Sequence, residues 1–70
     1  KLSYKDQREL DALPARIEQL ETRKAELEQE AAEPSFYQQE QQAVKALLDE
    51  LAAIAGDLES AYARWDELES

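Results

Sequence analysis

Seventy residues with a formal net charge of −9, no Cys and no His make one small domain that has no disulfide, no zinc site of Cys and His, and no imidazole or thiolate chemistry. A chain of this size buries only about 60% of the surface it exposes when unfolded, so its stability must come from helix–helix packing. No apolar run approaches the roughly 20 residues of a membrane span, no signal-peptide pattern is present, and the acidic balance disfavours anionic membranes and, at first sight, nucleic acid.

The chain opens on Lys1 rather than Met and reads as a piece of a longer protein. Ala, Leu, Glu and Gln dominate, with one Gly and two Pro, a composition that favours helices and coiled coils. Ser3 with Asp6 three residues later resembles a helix start. From there Leu10, Ile17, Lys24 and Ala31 fall at heptad position a, and Leu13, Leu20 and Leu27 at d. Pro14 lies inside this run. Its ring clashes with the carbonyl of Leu10 and it lacks an N–H, which predicts a kink or a turn of 3₁₀ helix, with Asp11 capping the restarted helix.

The pattern breaks at Glu33-Pro34-Ser35-Phe36-Tyr37. Pro34 disfavours a helical residue before it, so the first helix should stop near Ala32, with the turn near residues 33–40. Ser35 and Gln38 have the spacing of a capping box. A second helix should run from about Gln41 to Glu69, with Val44, Leu51, Leu58 and Trp65 at a and Leu47, Ile54, Ala61 and Leu68 at d. Such a sustained 3.5-residue repeat calls for a left-handed coiled coil. A short link between long helices makes them antiparallel. The fold class is therefore all-α: a two-helix antiparallel coiled-coil hairpin, a single domain over residues 1–70.

Folding about Tyr37 pairs residues whose numbers sum to about 74. Ile17 should meet Leu58, Leu20 should meet Ile54, Leu27 should meet Leu47, and Leu10 and Leu13 should flank Trp65 and Ala61. Lys24 faces Leu51 and is placed to reach Glu50. Leu48, Ala55 and Tyr62 widen the apolar stripe of the second helix at e, where the first helix carries Pro14, Glu21 and Glu28. Tyr4, Phe36, Tyr37 or a partner are the candidates to cover that extra width. Gly56 falls at f, facing solvent, and weakens the helix by about 1 kcal/mol.

No catalytic constellation is present. The only glycine lies mid-helix, where it cannot cradle a phosphate, and paired carboxylates such as Glu26 with Glu30 or Asp49 with Glu50 read as a solvated acidic face rather than a metal site. The positive charges are unevenly spread. Residues 1–16 hold four basic against three acidic residues, whereas the remainder holds four against fourteen. In an antiparallel hairpin Arg64 returns to Lys1, Lys5, Arg8 and Arg16, and the five make a candidate basic patch for phosphate. The alternative is a set of ordinary solvated charges paired along the helices.

The opening block from Lys1 to Leu10, the stretch Ala12-Leu13-Pro14-Ala15-Arg16-Ile17-Glu18, the turn Pro34-Ser35-Phe36-Tyr37 and the closing Tyr62-Ala63-Arg64-Trp65-Asp66-Glu67-Leu68-Glu69 together resemble the C-terminal domain of Uup-type ABC-F ATPases. The resemblance implies a non-catalytic, nucleic-acid (DNA)-binding C-terminal module of a cytoplasmic bacterial ATPase that has tandem nucleotide-binding domains and no membrane domain. The nucleic-acid-binding positions it implies are Lys1, Lys5, Arg8, Arg16 and Arg64; phosphate contacts of this kind on so acidic a chain are expected to be weak and salt-dependent. It assigns no cofactor to this chain, since ATP and its Mg belong to domains elsewhere in the parent. The rival reading is a protein–protein interaction or spacer hairpin, docking on the ATPase core, a ribosome or a second copy. For the isolated module a monomer is expected.

Overall fold

The computed structural model describes residues 2–70. Helix α1 (Tyr4–Ala32) and helix α2 (Gln41–Glu69) are joined by a single turn of 3₁₀ helix, Phe36–Gln38. Each helix has 29 residues, about 44 Å at 1.5 Å per residue, and the rod they form measures 53 × 16 × 16 Å. They therefore lie side by side.

The start of α1 is set by Ser3, whose hydroxyl accepts from the Asp6 N–H at 3.1 Å. Its end is set by Pro34. Glu33 turns extended, at φ −67° and ψ 135°, as the ring of the following proline requires. Backbone bonds from Phe36 to Glu33 and from Gln39 to Phe36 then carry the chain round. Among the described residues none has a positive φ, so the reversal needs no glycine.

Two local expectations are corrected. Ser35 is αR and its side chain makes no capping bond; Gln38 donates instead to the Ser35 carbonyl at 3.1 Å. A 3₁₀ turn leaves no room for the extended Ncap conformation a capping box needs. Likewise, of the two forms expected at Pro14, the 3₁₀ turn with a capped restart is absent: α1 is α-helix throughout, and the Asp11 carboxylate accepts from Gln7 at 3.0 Å rather than capping. Packing of Leu13 and Ile17 on α2 holds the helix together where Pro14 removes a bond.

The core follows the heptads. Leu13, Ile17 and Leu27 of α1 and Leu47, Ile54, Leu58, Ala61 and Leu68 of α2 are buried, with Leu10, Leu20, Ala31, Val44, Leu51 and Trp65 half-buried against them. Phe36 completes the cluster from the turn and is 1% exposed. Its ring meets that of Tyr37 edge-on, centroids 4.8 Å apart at 76°. Tyr37 itself remains outside, as does Tyr4, so neither covers the widened stripe of α2; Leu48 on that stripe is still 43% exposed. A Cβ on Gly56 would meet nothing within 4 Å, as befits an outward position.

Candidate nucleic-acid interface

In an antiparallel coiled coil the residues flanking the seam at g face one another across it, and the charges here are matched. Arg23 donates to Glu50 through Nε at 2.8 Å and a terminal nitrogen at 3.2 Å. Arg64 donates to Glu9 in the same two-pronged way, at 2.7 and 3.0 Å. Between them, Arg16 and Asp57 line one groove from opposite helices. All three pairs sum to 73. The sequence reading gave Glu50 to Lys24; Lys24 sits at a, on the seam itself, while Arg23 at g is the residue that points across it.

On the other flank Tyr62 donates to Glu21 at 2.6 Å, joining the two e positions. Their offset along the rod follows from side-chain direction: every helical Cβ tilts toward the N-terminus of its own helix, so in antiparallel helices these two side chains lean toward each other. That bond, followed by burial and by the charge of Glu21, holds the Tyr62 hydroxyl's pKa above its ordinary value. Trp65 is half-buried as its a position requires, and its indole N–H, also buried, makes no hydrogen bond within the described chain.

The hydrogen bond from Arg64, opposed by partial burial and helped by the charges of Arg64 and Lys5, holds the Glu9 carboxyl below its usual value. Arg23 does the same to Glu50. Both carboxyls bind protons less tightly folded than unfolded, so the pairs add stability that is fully present above a pKa of 4.5 and is lost as pH falls through the lowered folded values. These are solvent-facing pairs, so the effect is modest. The stability difference between the native chain and a Glu9→Gln/Glu50→Gln variant should be measurable by thermal melting at pH 7 and should close as pH falls from about 5 towards about 2. A difference unchanged in acid would place the stabilisation outside the ion pairs.

Four of the five candidate cations lie toward the open end of the hairpin; Lys1 is outside the described residues. Lys5, Glu9, Ala12 and Arg16 recur at helical spacing on one face of α1. Glu9 and Arg16, with Asp57 and Arg64 from α2, line a groove of about 280 Å³ floored by Ala12, Leu13 and Ala61. Tyr4, Lys5, Arg8 and Glu9 line a second hollow of about 320 Å³ beside it. Lys5, Arg8 and Arg16 are exposed and enter no ion pair among the described residues. Arg64 differs. It is tied to Glu9, to Asp6 at 3.3 Å and to Glu67 at 3.7 Å, and its guanidinium is a staple between the helices. The charge pattern at g, read as sums of 73, was the available signal for that role.

Of the carboxylates considered as metal ligands, Asp49 bonds to Lys45 at 2.8 Å and Glu26 to Arg23 at 3.5 Å, as Glu50 does to Arg23. Among the described residues no group of three or more potential ligands gathers, and no helix is long and apolar enough to cross a membrane.

The family model for the ABC transporter C-terminal domain matches residues 1–70. The chain belongs to this family. Two Haemophilus influenzae proteins, "ATP-binding protein Uup-like" and "ATP-binding protein Uup", are each 49% identical to it over 69 residues, or 99% of the chain. The Escherichia coli "ATP-binding protein Uup" is 41% identical over 70 residues, all of this chain. The chain spans only 11–15% of these relatives' own length. A solved structure described as the C-terminal domain of the Uup protein, "a DNA-binding coiled coil motif", superposes with a TM-score of 0.90 at 41% identity, covering 97% of this chain and 80% of that one. The resemblance drawn from the opening block, the proline stretch and the Arg-Trp ending thus holds along essentially the whole chain, and so does the coiled-coil fold.

Proposed function

We propose that this domain is the nucleic-acid-contacting arm of a cytoplasmic ABC-F ATPase, non-catalytic itself, which touches DNA phosphates with its open end. The observation that carries the reading is the set of exposed cations Lys5, Arg8 and Arg16 on α1, unpaired among the described residues, in a fold shared with a DNA-binding coiled coil. Arg64 supports it from behind by neutralising Glu9. ATP hydrolysis belongs to the remainder of the relatives' length.

With so few phosphate contacts the affinity is low and carries no sequence information. Three contacts give a salt slope of about −2.7, at roughly −0.9 for each phosphate on duplex DNA. Titrating labelled duplex at low and moderate salt tests this. The Lys5→Glu/Arg8→Glu/Arg16→Glu variant should bind at least tenfold more weakly, while Lys45→Glu, in the second helix near the turn, should bind like the native chain. Absence of binding at low salt, or indifference to the triple reversal, would overturn the proposal.

A further inference from the structure

Tyr4 has no structural reason to be aromatic. It is 79% exposed, outside the core, and in the first turn of α1, where any helix-compatible residue would serve. Yet its ring is not loose: the Arg8 guanidinium, one helical turn on, lies 5.8 Å from the ring centroid. A cation over the ring face is attracted by its quadrupole, and the pair restricts how the ring turns. One face is thereby covered by Arg8 and the opposite face is left to solvent. Lys5 and Arg8 flank the ring in the 320 Å³ hollow, and the one carboxylate there, Glu9, already accepts two bonds from Arg64.

We propose that Tyr4 is a stacking platform for an unpaired base, with Lys5 and Arg8 holding the phosphates on either side. The inference rests on the phosphate-contact reading above and deepens it. Cations alone recognise backbone and take no account of whether a base is free to stack. An exposed ring adds affinity only where a base can leave its stack, because every base has a π-face and a continuous duplex hides it. The preferred ligand is therefore single-stranded nucleic acid rather than continuous duplex. Arg64 acts as a positioning residue, since by occupying Glu9 it removes the charge that would repel the phosphate beside Tyr4.

Fluorescence anisotropy on the 70-residue chain with labelled strands of about 15 nucleotides provides the test. The probes are oligothymidylate, an abasic strand with the same number of phosphates, and a duplex. The native chain should bind oligothymidylate about tenfold more tightly than the abasic strand, equivalent to ~1.4 kcal/mol. Tyr4→Ala should bring that ratio near one with the abasic affinity unchanged, and Tyr4→Phe should keep it. Since Tyr4 packs on nothing in the core, neither variant should alter the helical circular dichroism. Equal binding of the two strands by the native chain, or a ratio that survives Tyr4→Ala, overturns the stacking role and leaves the phosphate reading standing. Failure of all three probes to bind overturns both.

Discussion

Replacing Phe36 with Ala should cost about 3–5 kcal/mol and leave much of the chain unfolded at room temperature. A single small core of this kind supplies only about 3–5 kcal/mol in total. Phe36 is the one turn residue in the core, at 1% exposure, and it shares its cluster with Leu27 and Leu47. Truncation removes the transfer energy of the ring and leaves a void. Collapse into that void is opposed by helices whose separation is held by the neighbouring leucine layers, so the cavity penalty is retained. Urea unfolding followed by circular dichroism at 222 nm measures the loss. Tyr37, next in sequence and 68% exposed, is the internal control, and its change to Ala should stay within about 0.5 kcal/mol. A loss below about 1 kcal/mol for Phe36→Ala would mean that the turn is held by Pro34 and its backbone bonds instead.

Pro14→Ala should act in the opposite direction, stabilising the hairpin by about 2 kcal/mol. Proline in a helix interior is about 3 kcal/mol less favourable than alanine, because the i to i−4 bond is absent and the ring crowds the carbonyl of residue i−4. Against this, proline restricts the unfolded chain, and removing it costs about 0.4–1 kcal/mol. The difference is positive because Pro14 is exposed and lies in unbroken α-helix, so its loss opens no cavity. In a domain this small 1 kcal/mol moves the melting temperature by about 4–8 °C, which puts the rise at about 8–16 °C. A fall in Tm would show that α1 needs its proline geometry to seat Trp65, whose side chain borders the same groove as Pro14 and Ile17.

Much of the architecture was written in the spacing of apolar residues. The stop at Ala32, the restart at Gln41 and the a and d positions that became the core follow from Pro34 and two heptad runs, which are local features with one physical solution. The capping box at Ser35 failed for a local reason as well: the 3₁₀ turn gave Gln38 a backbone acceptor before the serine side chain was needed. The candidate site was harder to read, because charge pairing depends on which residues face each other across the seam and not on how far apart they lie in the chain.

Helix periodicity and the position of the proline-containing break are enough to require an antiparallel pair with an acidic shaft and a concentration of cations near the first residues. They do not say which cations are free. Whether Arg64 reaches Glu9, whether Glu50 takes Arg23 or Lys24, and whether Tyr4 covers apolar surface or stands in solvent were settled only when the two helices docked, with a register and side-chain tilts that place each g residue opposite its counterpart. Burial is a local statistic of the pattern; partnership between distant charges is a property of the assembled rod.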